Sequence, residues 1–164
     1  MAISDSDISD TLAAYLEDHP DEATLLSEPM RLLRGGHDFA SRRTFPMHVT
    51  VGALLVRQHS EVLLVRHKAY GGMLLQPGGH LEENDVTLID AAVRELAEGT
   101  GLDPSVVALE SPNPVYIEYG PVPARPLSEV VKVPGQVVAG LPVEAREFRH
   151  ESWPTCKVAM HGDQ

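Results

Sequence analysis

The first 36 residues carry apolar side chains at helical spacing. Pro20, followed by two acidic residues, suits the first turn of a helix, and Gly35 with Gly36 suits its end. The apolar positions form two sets, each with members mostly three or four residues apart: Ile8, Leu12, Tyr15 and Leu16, then Leu25, Leu26, Met30 and Leu33. The pattern predicts two short helices at the amino-terminal end.

The pattern then changes to one typical of strands. Residues 48–57 and 61–67 are rich in aliphatic and β-branched side chains and are separated by three polar residues, which predicts a hairpin. A short strand is predicted over residues 73–76. It is followed by Pro77, Gly78 and Gly79, where we expect the backbone to bend sharply and expose its carbonyl oxygens.

A central helix is predicted over residues 87–98. Its apolar stripe consists of Leu88, Ala91, Ala92 and Leu96. Thr87 and Asp90 have the spacing of a capping box at the start of a helix, and Gly101 is expected to end it.

The remaining chain reads as short strands broken by prolines at positions 112, 114, 121, 123 and 126. Strands are predicted over 106–109, 115–119, 130–133, 136–139 and, as the last one, 146–153. Strands on both sides of a central helix, with helices in front, favour an α+β fold arranged as an α/β/α sandwich.

Composition narrows the class of partner. The chain has 164 residues with 13 Lys and Arg against 24 Asp and Glu, a net charge of −11. Binding a nucleic-acid polymer relies on basic side chains, so this class of partner is excluded. A small phosphorylated ligand stays possible because a metal ion can mediate between two anions.

Cysteine content and the first residues bear on localisation. Cys156 is the only cysteine, which suits a reducing compartment. The amino-terminal end is polar and acidic, unlike a signal peptide, and no apolar run approaches the roughly 20 residues that cross a bilayer. We therefore expect a cytoplasmic protein with no membrane partner.

Two glutamates near the end of the central helix are candidate metal ligands. Glu95 and Glu98 are three residues apart and so share one helical face. Helix C-termini disfavour negative charge, so a cation would explain the placement of both carboxylates. Beside a bent glycine loop, they would form the oxygen-rich site that a hard cation such as Mg²⁺ prefers.

Residues 79–102 resemble the Nudix box, Gly-x5-Glu-x7-Arg-Glu-U-x-Glu-Glu-x-Gly-U, in which U is a bulky aliphatic residue. The opening glycine is matched by Gly79, and Gly78 stands where another glycine commonly precedes it. The remaining matches are Arg94, Glu95, Leu96, Glu98, Gly101 and Leu102. The resemblance extends in pattern over residues 1–120 and implies a Nudix fold with a mixed sheet. It divides the chain into a helical extension (1–44) and a Nudix domain (45–164).

The resemblance implies a Mg²⁺-dependent hydrolase, with Mn²⁺ as an alternative metal. Its substrate would be a small phosphorylated molecule, a nucleoside diphosphate linked to another moiety. The metal ligands would be Glu95, Glu98 and the Gly78 carbonyl, while Arg94 would orient a box carboxylate. One of the glutamates or a loop carboxylate would act as the base, and a homodimer stays open.

Two departures from the pattern affect this hypothesis. One additional residue lies between Gly79 and Arg94, so the box glutamate has no direct counterpart, and Asp85 is the best substitute. Gly99 occupies the second position of the Glu-Glu pair, where the family places a metal-ligating carboxylate. A compensating ligand would come from Glu83, Glu118, Glu144 or Glu147.

Other interpretations stand beside the enzyme. Glu95 and Glu98 could be a solvated helix face, and Arg94 an ordinary surface arginine. Gly99 favours a degenerate Nudix-fold protein that binds a nucleotide or a protein partner without efficient hydrolysis. A Nudix-like isomerase is a more distant alternative, because its additional Cys and Glu pattern is not recognisable.

Overall fold

The computed structural model describes residues 3–57, 61–67, 71–121 and 135–145. Its first element, α1 (Asp5–Asp18), begins at a capping box in which the Ser4 hydroxyl and the Asp7 carboxylate satisfy each other's backbone N–H groups. Helix α1 buries Ile8, Leu12 and Tyr15, as the apolar spacing predicts. Among the described residues, no helix is long and apolar enough to cross a bilayer.

The second helix begins later than the sequence predicts. Pro20–Glu22 forms a separate 3₁₀ turn, and α2 runs over Ser27–Leu33. The Leu26 N–H donates to the Glu22 carbonyl at 3.1 Å, so a turn joins the two pieces. Pro29 lies in the first turn of α2, where the N–H that proline lacks would have no partner within the helix.

In the described residues, eight strands follow the amino-terminal helices. The first five are β1 (Met47–Arg57), β2 (Glu61–Val62), β3 (Val65–His67), β4 (Met73–Leu75) and β5 (Gly78–His80). The last three are β6 (Val107–Leu109), β7 (Tyr116–Pro121) and β8 (Gly135–Ala145). The main sheet has the order β2-β1-β8-β6, with β5 also paired to β1 and β7 to β8. Since β1 and β8 are parallel and the other pairs antiparallel, the sheet is mixed.

Three strand predictions change. Residues 61–67 divide between two sheets: β2 continues the predicted hairpin with β1, whereas β3 pairs with β4. The predicted bend lies at Pro77, and the two glycines that follow it are not part of the bend but lie in β5. Strand β8 is longer than the predicted 136–139 and continues through Pro142, supported by its ladder with β1. The predicted strands at 130–133 and 146–153 lie outside the described residues.

The central helix is confirmed as α3 (Leu88–Thr100). The capping box of Thr87 and Asp90 is present, and Gly101 ends the helix in the left-handed conformation with φ of 74°. Helix α3 packs on β1 and β5, and its apolar stripe joins α1, α2 and β1 in one core. The protein thus has an α+β fold in which the end of α3 lies beside β5.

Candidate functional site

Arg94 is the centre of the candidate site. Its Nε and Nη2 atoms donate to the two carboxylate oxygens of Asp85, at 3.0 and 2.9 Å. The Asp85 side chain is only 5% exposed, so this bidentate pair is largely shielded from water. Nη2 also donates to the His80 carbonyl at 2.9 Å. Helix α3 is thereby fixed to the loop that follows β5.

The other edge of Arg94 faces further carboxylates. Nη1 lies 2.9 Å from Glu95 Oε1 and 3.5 Å from Glu98 Oε1. Glu82 Oε1 is at 4.0 Å from the same nitrogen. One guanidinium therefore serves four carboxylates, and when all are ionised three negative charges are left uncompensated by Arg94.

Asp85 is fixed from two sides. Besides Arg94, it accepts a hydrogen bond from the Glu82 N–H at 2.7 Å, and its own N–H donates to the Glu82 carbonyl at 3.0 Å. The hydrogen bonds from Arg94 are the largest cause that lowers the pKa of Asp85, and they outweigh the effect of its burial. Residues 80–84 separate Gly79 from Asp85 at the spacing of the family pattern, so the additional residue lies between Asp85 and Arg94.

Glu95 lies against the strand rather than in solvent. Its side chain is 18% exposed, and its carboxylate covers Gly79, where a Cβ atom would come within 2.5–2.6 Å of the carboxylate atoms. Burial raises the pKa of Glu95, the Arg94 guanidinium opposes this, and the negative charges of Glu98 and Glu82 add to the rise. The Glu95 carboxylate thus occupies the space that a side chain at position 79 would fill, so this position of the motif requires glycine.

The Gly78 carbonyl is turned away from β1. The Ala53 N–H donates to the Pro77 carbonyl at 2.9 Å, which makes that pair hydrogen-bonded. Hydrogen-bonded and non-hydrogen-bonded pairs alternate along an antiparallel ladder, so Gly52 and Gly78 form a non-hydrogen-bonded pair. A Cβ on Gly78 would lie 2.5 Å from the Val51 carbonyl oxygen, so glycine is needed for this close approach.

The end of α3 is more open. Glu98 is 59% exposed. Among the described residues, a Cβ atom added at Gly99 would have the Pro77 side chain as its neighbour, at 3.6 Å, an ordinary van der Waals distance. Glu83 and Glu118 are both exposed, Glu144 belongs to β8, and Glu147 lies outside the described residues. Within the described ranges, no group of three His, Cys, Asp or Glu side chains already surrounds a metal position.

The sheet face opposite α3 has polar residues that the strand pattern alone did not mark as functional. His48 on β1 stacks on His80 of β5, with ring centroids 5.2 Å apart. His48 is buried, and its Nδ1 atom has no hydrogen-bond partner in the described part of the chain. Burial, with His80 nearby, lowers the pKa of His48. Alternation along β1 places His48 and Thr50 on the face away from Val49 and Val51.

Two further polar side chains near the sheet, those of Arg66 and Tyr116, form local hydrogen bonds. Arg66 donates to the Gly72 carbonyl at 2.9 Å within the turn between β3 and β4. Tyr116 hydrogen-bonds to Gln76, and burial raises the pKa of its hydroxyl.

Comparison with known proteins identifies the class. The family model of the NUDIX domain matches residues 46–156, and the chain belongs to this family. This match includes most of the sheet and the Arg94 network, which consists of Arg94 with Glu82, Asp85, Glu95 and Glu98. No curated protein sequence matches the chain.

Solved structures similar to this chain include three named hydrolases. A hydrolase of the NUDIX family from Clostridium perfringens is 24% identical, with a TM-score of 0.47, over 62% of this chain and 70% of that one. The C. elegans Ap4A hydrolase is 16% identical, with a TM-score of 0.44, over 59% and 67%. The Nudix hydrolase RenU from M. smegmatis is 18% identical, with a TM-score of 0.44, over 71% and 67%.

Proposed function

We propose that this protein is a Nudix hydrolase that cleaves a diphosphate bond in a nucleoside diphosphate linked to another moiety. The observation that carries the proposal is the surplus of carboxylates around Arg94, at the end of a helix that lies against a glycine strand. Negative charge is unfavourable at that end of a helix unless a cation accompanies it. A small phosphorylated substrate also suits a chain with a net charge of −11 better than a nucleic-acid polymer does.

The donor atoms fit a divalent cation of the Mg²⁺ type, with Mn²⁺ as an alternative. Glu95 and Glu98 supply carboxylates from one face of α3, and the Gly78 carbonyl points away from the ladder. Mg²⁺ binds proteins through a few carboxylates and keeps waters or substrate phosphates in its other positions, so a closed cage of protein ligands is not required. Such an ion, when bound, polarises a phosphoryl group and lowers the pKa of a bound water.

The residues around Arg94 have two further roles, positioning of the carboxylates and proton transfer. Arg94 holds Glu95 and Glu98 on one side and Asp85 on the other, so we assign it and Asp85 as positioning residues. One of the glutamates or a loop carboxylate accepts the proton of the attacking water. The water oxygen bonds to phosphorus, the bridging P–O bond breaks, and the leaving phosphate takes the electron pair.

Gly99 favours the second candidate, a Nudix-fold protein that binds a nucleotide or a protein partner without efficient hydrolysis. The helix has no side chain at this position, where the family pattern has a carboxylate. Glu98 alone then represents the Glu-Glu pair, and its side chain is 59% exposed.

Hydrolysis of a nucleotide panel with Mg²⁺ and with Mn²⁺ separates the two candidates. We expect phosphate or nucleoside monophosphate release that falls about 100-fold in Glu98→Gln, equivalent to about 2.7 kcal/mol of transition-state stabilisation. Glu17→Gln, an exposed glutamate of α1, is the matched control and should keep the native rate. Absence of turnover across the panel, together with measurable nucleotide binding, would replace the hydrolase with the second candidate.

A further inference from the structure

A cleft of about 510 Å³ opens between the end of the helical extension and the loop after β5. Residues 38 and 40–43 form one wall and residues 80–84 the other, with Ile3 completing the lining. Its volume lies in the range of small-molecule sites, about 300–1,000 Å³. The cleft thus joins two parts of the chain that are far apart in sequence.

The loop wall faces the cleft on one side, and on its other side it is hydrogen-bonded to Arg94 and Asp85. The His80 carbonyl accepts from Arg94, and the Glu82 N–H donates to Asp85, yet His80 and Glu82 also line the cleft. A ligand in the cleft would therefore lie next to the loop that Arg94 of α3 fixes. The bidentate pair of Asp85 and Arg94 keeps this wall in place.

The extension wall is held by hydrogen bonds to the Asp5 side chain of α1, to the Thr44 hydroxyl and to the backbone of β1. The Asp5 carboxylate accepts from the N–H groups of Asp38 and Phe39, at 3.0 and 2.7 Å. The Phe39 carbonyl accepts from the N–H of Val49 in β1 at 2.9 Å, and the Thr44 hydroxyl donates to the Asp38 carbonyl at 2.7 Å. The segment that carries Arg42 and Arg43 is thus held at both ends.

The extension wall carries Arg42 and Arg43 together with Asp38, whereas the loop wall carries Glu82 and Glu83 and is called the acidic wall. Arg42 and Arg43 are exposed, and across the described ranges neither guanidinium has a carboxylate within 4.0 Å. Three carboxylates, those of Asp38, Glu82 and Glu83, nevertheless line the same cleft. Two neighbouring arginines that form no ion pair with the described part of this acidic chain are available to an external anion.

We propose that Arg42 and Arg43 bind a phosphate group of the substrate, on the side of the diphosphate away from Glu95 and Glu98. This inference rests on the proposed function and gives the extension a part in substrate binding. Guanidinium groups bind phosphate oxygens in bidentate geometry. A bare anion would be repelled by the acidic wall, whereas a diphosphate with its cation presents negative charge to the arginines and positive charge to the carboxylates.

Calorimetric titration with inorganic pyrophosphate, without and with Mg²⁺, tests the site by binding alone. We expect the double variant Arg42→Ala/Arg43→Ala to bind pyrophosphate at least about tenfold more weakly, since hydrogen bonds to charged groups contribute about 1.5–3 kcal/mol. The variant Arg42→Lys/Arg43→Lys keeps the charge but loses the bidentate geometry, and should fall between. Arg34→Ala, an exposed arginine of the extension that does not line the cleft, should bind as the native protein does.

Kinetics distinguish failure of this inference from failure of the proposed function. With a hydrolysed substrate, the double alanine variant should raise KM about tenfold while kcat changes less than twofold. Native-like pyrophosphate binding by that variant, or no binding by the native protein, overturns the arginine site even when hydrolysis is present. Arginine-dependent binding in a protein that hydrolyses no nucleotide supports the site and overturns the hydrolase.

Discussion

The two sides of Arg94 are built differently. Towards the loop, it makes a bidentate contact with Asp85, whose side chain is 5% exposed. Towards the end of α3, one nitrogen is shared between Glu95 at 2.9 Å and Glu98 at 3.5 Å, and Glu98 is 59% exposed. We call these the loop side and the helix side of the network.

This difference suggests that the loop side stabilises the fold and that the helix side serves the reaction. On the loop side, Asp85 is shielded and already has two hydrogen bonds from Arg94, so a ligand would have to replace a charge pair in order to bind it. On the helix side, an exposed carboxylate at 3.5 Å gives up little when it exchanges Arg94 for a cation. Stability should therefore depend mainly on the loop side, and activity on the helix side.

Removing the Arg94 side chain abolishes the contacts on both sides and should lower stability more than the other substitutions do. Arg94→Ala leaves the Asp85 carboxylate shielded and without its cation, so we expect the free energy of unfolding to fall by about 3–5 kcal/mol. Denaturant unfolding followed by circular dichroism measures this. Arg66→Ala, which loses one exposed hydrogen bond to the Gly72 carbonyl, is the control and should cost less than about 1.5 kcal/mol. A similar small cost for Arg94→Ala would show that the loop side does not support the fold.

Neutralising Asp85 tests the loop side alone. Asp85→Asn should lower stability at pH 7 by about 1–3 kcal/mol. The folded-state pKa of Asp85 is lowered, so its contribution is present above the unfolded pKa of about 3.9 and is lost as the pH falls towards the folded value. The native protein should thus lose more stability between pH 6 and pH 3 than the variant does.

Unfolding curves recorded across that pH range make the comparison. Asp10→Asn, which changes an exposed residue of α1, is the control and tests whether any lost carboxylate gives the same result. Parallel pH profiles for native protein and Asp85→Asn would contradict the assigned role of the pair.

Substituting Gly99 tests whether the helix side binds a cation, and it should change stability the least of the three. Gly99→Ala should stabilise by up to about 1 kcal/mol, because glycine is a poor helix former and the position has space. Gly99→Glu adds a carboxylate, and Gly99→Gln adds the same volume without charge. If the helix side binds a cation, Mg²⁺ should raise the midpoint of thermal unfolding more in Gly99→Glu than in Gly99→Gln. Equal shifts would argue against a ligand position there.

Local sequence patterns predict the elements whose determinants lie within a few residues. Helix α3 has its capping box, apolar stripe and terminal glycine within one short segment, and the structure confirms all of them. Helix α1 is similar, since Ile8, Leu12 and Tyr15 are buried as their spacing predicts. The hairpin of β1 and β2 is also local, and it is confirmed by the pairing of Arg57 with Glu61.

Features that depend on distant parts of the chain escape such patterns. The division at Leu63 and Leu64 between two sheets has no breaking residue, because the aliphatic run is continuous. Strand β8 passes through Pro142 because β1 pairs with it over a long ladder. The sequence predicts a bend at Gly78 and Gly79. In the structure, Gly78 instead allows β5 to approach Val51 closely, and Gly79 leaves space for the Glu95 carboxylate.

The site shows the same division. Proximity of Glu95 and Glu98 follows from helical periodicity, but their common contact with Arg94 requires the side-chain geometry of the fold. The cleft between residues 38–43 and 80–84 brings together segments about 40 residues apart. Arg42 and Arg43 therefore look like an ordinary polar stretch in the sequence.

The segment between Asp85 and α3 has a consequence for how the motif can vary in evolution. Val86 is 65% exposed and Thr87 caps the helix, so chain length can change here while Asp85 and Arg94 stay in contact. An insertion at this point alters the spacing of the motif and leaves its charge arrangement intact. Selection acting on the ion pair would accept such length variants, and homologues with other spacings should retain an acidic side chain that reaches the same arginine.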